Sequence, residues 1–249
     1  MKYLLRLSYL GSAFSGFQVQ RGGTENTIQG ALCRAGRELF GAECKVSGCS
    51  RTDSGVHALD YAATLEVTSK TVISPEKLPR ALGAFLPKEI VVSSATEVDG
   101  AYSVRRHVIG KEYEYLILNA PSPSPFVTDR AWHVPHPLDD AKMNAAAKYF
   151  LGAHDFCAFM ASGSDVKNTV RTVTKCEVKR DGDCVRINVA ADGFLYNMVR
   201  IIVGTLVEVS EGKIAVGDIP DVIFSGQRKR AGRTAPAEGL YLKAVTLDN

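Results

Sequence analysis

The order of strand-like and helix-like segments constrains the fold of this chain more than any other feature, because the same order occurs twice. In the first half, an apolar stripe at i, i+4, i+7 and i+11 from Ile28 predicts a helix. Asn26 or Thr27 can cap this helix, and Gly41 ends it. Alternating and β-branched residues predict the strands around it. The predicted elements are a strand over 3–10, the helix from 28, strands over 44–50 and 58–68, a helix that opens at 74–76, and a strand over 90–98.

The second half repeats the order β-α-β-β-α-β with one extra short strand. A hairpin turns on Asp181-Gly182, and a long apolar helix ends at Gly212. The predicted elements are strands over 113–119 and 131–134, a helix over 139–151, hairpin strands over 170–179 and 184–191, a helix over 198–209, and a strand over 240–247. Two such units predict an α+β fold of two ferredoxin-like halves, placed at 1–104 and 105–249, with a groove between them.

Charge alone does not identify a partner for this chain. Its 249 residues hold 30 Lys and Arg against 27 Asp and Glu, a formal net charge of +3. The basic residues nevertheless cluster in two segments that could line the predicted groove: Arg105, Arg106 and Lys111, and then Arg228, Lys229, Arg230 and Arg233. A solvated protein face would explain each cluster. Together, on a two-halved scaffold, they make RNA binding a second interpretation.

Several other classes of protein are disfavoured. No apolar run reaches the roughly 18 residues of a membrane span, and Arg6 interrupts the apolar N-terminal segment, which argues against a signal peptide. The six cysteines form no CxxC pair, so we expect mostly buried, reduced thiols in a cytoplasmic protein. His133 and His136, flanked by prolines, are a weak metal motif. Phosphate-loop and dinucleotide motifs are absent from the sequence, and we expect neither a metal nor a cofactor.

The segment Ser50-Arg-Thr-Asp-Ser-Gly-Val-His57 concentrates the reactive side chains. It holds a carboxylate, an imidazole and three side-chain hydroxyls close together, on a loop that follows a strand. One explanation is a turn in which Asp53 bonds the nearby backbone. A Ser54-His57-Asp53 hydrolase is a poorer one, because residues so close in sequence rarely reach the geometry of a triad.

A third explanation comes from a resemblance that extends along the chain. Arg51-Thr-Asp-Ser-Gly-Val-His-Ala58 resembles the signature of the tRNA pseudouridine synthase A family. Further segments that resemble blocks of this family, in the same order, are 9–20, 27–30, Lys111-Glu-Tyr-Glu-Tyr115, 193–204 and 234–242. The resemblance implies the pseudouridine synthase fold and an isomerase that converts uridine to pseudouridine in tRNA without a cofactor.

The resemblance also implies roles for particular residues. Asp53 is the expected nucleophile, Arg200 the cation that keeps it ionised, and Tyr113 the tyrosine that stacks on the target base. Arg51 is expected to occupy the gap left by the extruded nucleotide. The expected RNA-contacting residues are Arg51, Arg105, Tyr113, Arg228, Lys229 and Arg230. Family members act as homodimers on positions 38, 39 and 40 of the tRNA anticodon stem–loop, and the resemblance implies no other protein partner. A catalytically idle RNA-binding protein of the same fold is the alternative, which intact Asp53, Tyr113 and Arg200 disfavour.

The sequence departs from the pattern of the family in three places. Members usually have glycine or alanine where Ser50 stands, aspartate where Leu10 stands, and a glycine-glutamine pair where Asp60-Tyr61 stand. Ser50 is small and is expected to be tolerated, whereas the other two departures bear on details of RNA contact.

Overall fold

The computed structural model describes residues 1–20, 26–69, 71–163 and 166–248. The chain forms two compact units: unit 1 is Met1–Ile109 together with Tyr241–Asn249, and unit 2 is Gly110–Leu240. This division differs from the predicted halves at 1–104 and 105–249, because residues 105–109 and the last strand group with unit 1. The last strand does so through parallel pairing of Tyr241 with His57 and of Leu242 with Ala58.

Unit 1 has the predicted element order and one mostly antiparallel sheet. Its elements are β1 (Lys2–Tyr9), α1 (Ile28–Phe40), β2 (Cys44–Gly48), β3 (His57–Val67), α2 (Leu78–Gly83), β4 (Ile90–Glu97) and, from the end of the chain, β10 (Leu240–Leu247). β1 pairs antiparallel with β3 and β4, and β2 pairs antiparallel with β3. The strand order β4-β1-β3-β2 is that of a ferredoxin-like unit, and the predicted α+β class is confirmed.

The two helices of unit 1 show where local sequence signals succeed and fail. Thr27 caps α1 by accepting a hydrogen bond from the Gly30 N–H at 3.1 Å, and Gly41 ends the helix in the left-handed conformation (φ 61°). The predicted opening of α2 at residues 74–76 is wrong. The Ser74 carbonyl instead closes a turn, and the helix begins at Leu78 with Pro79 in its first turn, where a missing N–H does no harm.

Unit 2 contains the remaining elements, with its own set of paired strands. They are β5 (Val108–Leu118), which begins in unit 1, and then β6 (Trp132–His133), α3 (Asp140–Ala147), β7 (Gly152–Asp155), β8 (Val170–Asp181), β9 (Cys184–Ala191), α4 (Met198–Ser210) and α5 (Ile219–Ser225). The strands β5-β9-β8-β7 are antiparallel neighbours, and β6 pairs parallel with β5. β5 begins earlier than the predicted 113, the predicted helix over 139–151 is shorter, and β7 and α5 have no counterpart in the prediction.

Two further expectations from the sequence concern the cysteines and membrane-spanning helices. All six cysteines are free thiols, but only Cys49 and Cys176 are buried, so the expectation that most of them are buried is wrong. Burial raises the pKa of the Cys176 thiol to about 12, which makes it a poor nucleophile. Within the described ranges, no helix combines the length and the apolar character that crossing a membrane requires.

Candidate active-site residues

Asp53 lies on the loop between β2 and β3. Its main-chain carbonyl accepts a hydrogen bond from the Val56 N–H at 3.2 Å, and Gly55 takes the positive φ (83°) that the turn requires. Main-chain groups therefore close this turn. The Asp53 side chain is half-buried, so it belongs neither to the core nor to the fully solvated surface.

A second loop, residues 10–18, packs directly against the Asp53 loop. A Cβ on Gly11 would lie 2.0 Å from the Val56 carbonyl oxygen, and one on Gly16 would lie 2.6 Å from that of Thr52. The Phe17 N–H also donates to the Thr52 carbonyl at 3.1 Å. The two backbones thus touch at positions that only glycine allows, which explains why two separate sequence blocks belong to one site.

The other reactive groups of the loop are engaged in holding it together. The Ser54 hydroxyl donates to the Phe14 carbonyl at 3.1 Å, and His57 Nδ1 accepts from the Gly11 N–H at 2.9 Å. His57 is fully buried, and its ring stacks on Tyr241 with centroids 4.6 Å apart. These contacts give Ser54 and His57 structural roles, and they do not support the hydrolase interpretation.

The two arginines of unit 1 that were expected to bind RNA lie beside this loop. Arg51 is exposed, and its Nε donates to Gln18 Oε1 at 3.0 Å. Arg105 is also exposed, and its Nε donates to the carbonyl of Gly48, the last residue of β2, at 3.1 Å. Arg105 is 57 residues from Gly48 in sequence, and the fold places it beside the start of the Asp53 loop.

The family departures at 60 and 61 have partners of their own. Asp60 pairs with Arg6, whose Nη1 lies 3.2 Å from the carboxylate and also donates to the Val245 carbonyl. The Tyr61 hydroxyl bonds the main chain of Ser50, three residues before Asp53.

Arg200 lies in the first turn of α4, in unit 2. Its Nε donates to the Ala235 carbonyl at 2.7 Å, and its Nη1 donates to Asn197 Oδ1 at 2.8 Å. The Ala235 N–H in turn donates to the Arg200 carbonyl at 3.0 Å. Asn197 precedes the helix in the left-handed conformation (φ 60°), which is uncommon for a residue other than glycine. The guanidinium is therefore held in direction by two neighbours.

The segment 233–239 packs against two elements of unit 2. The Tyr115 hydroxyl on β5 donates to the Pro236 carbonyl at 2.7 Å, and burial raises the pKa of Tyr115 well above its usual value. On α4, a Cβ at Gly204 would lie 1.8 Å from the Arg233 carbonyl oxygen. Residues of three separate blocks of the sequence, 111–115, 193–204 and the part of 234–242 up to Leu240, thus meet within this unit.

Tyr113 is nearly buried, with 7% of its surface exposed. It lies on β5 opposite Val189 of β9, and its ring meets Phe194 edge to face with centroids 5.0 Å apart. Sequence reasoning did not single out Phe194 or Asn197. Both lie in the block that contains Arg200, so neighbourhood in that block was the available signal.

The basic segment 228–230 divides into two kinds of side chain. The Arg228 guanidinium donates to the Gly232 carbonyl at 2.8 Å and to Thr234 Oγ1 at 3.0 Å, and desolvation lowers its pKa. Lys229 and Arg230 are exposed. Arg228 therefore braces its own loop, while its two neighbours present their charges to solvent.

A metal site is not formed by the described residues, which contain no group of three or more His, Cys, Asp or Glu placed to hold an ion. The ring of His133 bonds the Ala120 carbonyl at 2.8 Å. A cleft of about 350 Å³ in unit 2 is lined by Trp132, His133, Val134, Pro135, His136, Glu211, Lys213 and Arg233. Its two cations both pair with Glu211.

Comparison with known proteins finds relatives along nearly the whole chain, although the family match leaves out residues 106–145 and with them the block 111–115. The family model described as tRNA pseudouridine synthase matches residues 7–105 and 146–248. The chain is 47% identical over 241 residues to tRNA pseudouridine synthase A of Acetivibrio thermocellus, with 97% of each chain covered. It is 43% identical over 251 residues to the protein of that name from Bacillus licheniformis, with 100% of each covered.

One solved structure, titled "Crystal Structure of a Cbf5-Nop10-Gar1 Complex", is similar at a TM-score of 0.39 and 14% identity. The match covers 96% of this chain and about half, 48%, of the other. At that TM-score the likeness supports no conclusion about this chain.

Proposed function

This chain belongs to the tRNA pseudouridine synthase family, and from that premise we propose that it isomerises uridines 38, 39 and 40 of the tRNA anticodon stem–loop with Asp53 as nucleophile. The observation that carries the proposal is the family match through residues 7–105, which include the Asp53 loop. Members of this family are isomerases that act on uridine in tRNA. The positions in the tRNA and the roles of single residues are the proposed part.

The isomerisation requires a nucleophile and a closed pocket. Its atoms and electrons balance without a co-reactant. The N1–C1′ bond breaks and a C5–C1′ bond forms, while C5 loses a proton to solvent and N1 gains one from solvent. An ionised carboxylate that attacks the ribose C1′ or the uracil C6 assists the cleavage, and the bond that it forms breaks again before the product leaves. The contacts that lock the Asp53 loop against residues 10–18 support this role, because a nucleophile must be held in place.

Arg200 is the proposed cationic partner of that carboxylate. A carboxylate in a closed pocket becomes protonated unless a cation stabilises its charge. A guanidinium carries its donors in a rigid planar fork, so bonds from Nε to Ala235 and from Nη1 to Asn197 fix the direction of the whole group. A charge held in this way costs little reorganisation during the reaction.

Tyr113 and Arg51 are proposed to handle the extruded nucleotide. Removing a base from its stack costs a few kcal/mol, which contacts to the base and to the vacated space can offset. Tyr113 is held edge to face by Phe194 and is proposed to stack on the uracil. Arg51 is exposed at the Asp53 loop and is proposed to enter the gap.

RNA binding is proposed to rest on exposed cations. Arg105, Lys229 and Arg230 are exposed and suit phosphate contacts, while Arg228 supports the loop that presents two of them. We also propose a homodimer in the cytoplasm, where the free thiols would stay reduced. Light scattering tests the dimer, with an expected mass twice the 26.9 kDa of the chain.

The experiment that tests the function is to map pseudouridine in an unmodified tRNA transcript incubated with the purified protein. We expect pseudouridine at the uridines of positions 38–40 and none in a matched transcript with cytidine at these positions. Binding of the transcript without pseudouridine would contradict the proposal and favour the idle RNA-binding protein. Pseudouridine elsewhere in the tRNA would contradict the proposed positions alone.

A further inference from the structure

Tyr61 holds both peptide groups of Ser50. Its hydroxyl accepts a hydrogen bond from the Ser50 N–H at 3.3 Å and donates to the Ser50 carbonyl. The ring is fully buried and stacks on Phe17, with centroids 4.4 Å apart and planes 21° apart. The hydroxyl therefore projects from a rigid support on β3.

The contact lies at the point where the pairing of β2 with β3 ends and the Asp53 loop begins. The main-chain bonding between β2 and β3 continues as far as Cys49, whose N–H donates to the Ala62 carbonyl at 2.9 Å. At the next residue the Tyr61 hydroxyl takes the place of a strand partner. Two residues later, Thr52 Oγ1 hydrogen-bonds the Tyr9 hydroxyl at 2.8 Å, and the rings of Tyr9 and Tyr61 are 5.6 Å apart.

Gly48 leaves the room that this contact needs. A Cβ at position 48 would lie 2.2 Å from the Tyr61 hydroxyl oxygen and 2.4 Å from the Phe17 ring. Any larger residue there would displace the hydroxyl from Ser50. The contact thus depends on a glycine in β2 as well as on the tyrosine in β3.

We infer that Tyr61 is a positioning residue, which fixes the entry of the Asp53 loop through the peptide groups of Ser50. The inference rests on the proposed role of Asp53. Because position 61 departs from the family pattern, the resemblance assigns it no role. A displacement of about 1 Å can lower a rate about a hundredfold, so the anchor of a nucleophile's loop acts on turnover more than on substrate affinity.

The test compares Tyr61→Phe with Tyr3→Phe. Both tyrosines are buried in unit 1, and the Tyr3 hydroxyl donates to the Ile73 carbonyl at 3.0 Å, outside the Asp53 loop. We expect Tyr61→Phe to lower kcat at least about tenfold. The KM and the Kd for tRNA should stay within about twofold of wild type. Amide hydrogen exchange at Ser50 should accelerate, whereas Tyr3→Phe should leave kcat and the exchange at Ser50 unchanged.

Two further variants keep the test decisive. Should Tyr61→Phe fail to fold, Gly48→Ala displaces the same hydroxyl and is expected to give the same fall in kcat. A kcat within twofold of wild type in the folded variant, or an equal fall in Tyr3→Phe, would overturn the inference. Asp53→Asn distinguishes a failure of the proposed function from a failure of the inference about Tyr61. If Asp53→Asn stays active, the proposed function fails. If Asp53→Asn is inactive while Tyr61→Phe has a normal kcat, only the inference fails.

Discussion

Arg200 differs from an ordinary surface arginine because two hydrogen bonds fix the direction of its guanidinium group. Its Nε and Nη1 are committed to Ala235 and Asn197, on either side of its position in the chain. A lysine offers one nitrogen on a flexible stem and cannot reproduce a planar fork. The charge at this position would survive an Arg-to-Lys change, but its direction would not.

We therefore predict that Arg200→Lys lowers kcat about a hundredfold or more while the protein stays folded. The measurement is the initial rate of tritium release from tRNA that carries uridine labelled at C5. Arg186→Lys is the matched control, because Arg186 lies in the same unit and makes only a partly exposed ion pair with Glu114. Turnover of Arg200→Lys at the rate of the control would remove Arg200 from the proposed mechanism.

A sequence pattern indicates the chemical type of a side chain but not the direction in which it points. The segment Arg228-Lys229-Arg230 reads as three equivalent cations, yet Arg228 is turned into the carbonyls of its own loop. Which of three neighbours faces inward depends on where residues 231–234 place their acceptors, and no pattern of letters encodes that. The hydroxyl contact of Tyr61 could not be predicted from the sequence for the same reason, because it depends on the register between β2 and β3.

Among the elements, α4 is held in position by its packing against the segment 233–239. The helix is apolar nearly all round and buried along most of its length. At Gly204 the Arg233 carbonyl lies so close that a Cβ would overlap it at 1.8 Å. The obstacle is main chain, so a larger residue can be accommodated only if the loop next to Ala235 moves.

We predict that Gly204→Ala destabilises the protein by about 2 kcal/mol or more, the upper part of the range for overpacking. The midpoint of urea-induced unfolding measures this effect. Gly217→Ala, in the same unit with nothing within 4 Å of its added Cβ, should shift the midpoint little. Equal midpoints for the two variants would show that the loop is not held against α4.

Elements with strong periodicity were predicted, and those defined by tertiary contacts were not. The apolar stripe and caps of α1 are local signals that survive in the structure. The predicted hairpin also forms, but its turn is Gly182-Asp183 rather than Asp181-Gly182, because Asp181 pairs with Cys184. β7, by contrast, is Gly152–Asp155, a stretch without alternation that becomes a strand only because β8 pairs with it. The start of α2 was missed because two prolines compete for the first turn and only Pro79 takes it.

At the scale of the whole molecule, affinity for RNA should follow the placement of charge rather than its total. The net charge is only +3, but Lys229 and Arg230 are exposed side by side on a loop braced by Arg228. Each phosphate that a cation neutralises contributes about 0.7 to 0.9 to the slope of log K against log salt.

We predict that replacing Lys229 and Arg230 with alanine reduces that slope by about 1.4 to 1.8, twice the single-contact value. Filter binding of tRNA across a salt series measures it. The double replacement of Lys77 and Arg80, two exposed cations outside the predicted clusters, should leave the slope unchanged. A slope that the first pair does not alter would mean that this loop is only a solvated face.

The central claim is that Asp53 is a nucleophile, and Asp53→Asn tests it with the least disturbance. Asparagine keeps the size of the side chain and forms similar turns, but it lacks the negative charge and the nucleophilic oxygen. If Asp53 only shaped its loop, the variant would remain active.

The measurement is tritium release from tRNA labelled at C5 of uridine, by wild type and Asp53→Asn at equal concentration. Urea unfolding and filter binding are run on the same samples. We predict release at background level for the variant, with an unchanged unfolding midpoint and equal or tighter binding of tRNA. Substantial release by a folded Asp53→Asn protein would contradict the account.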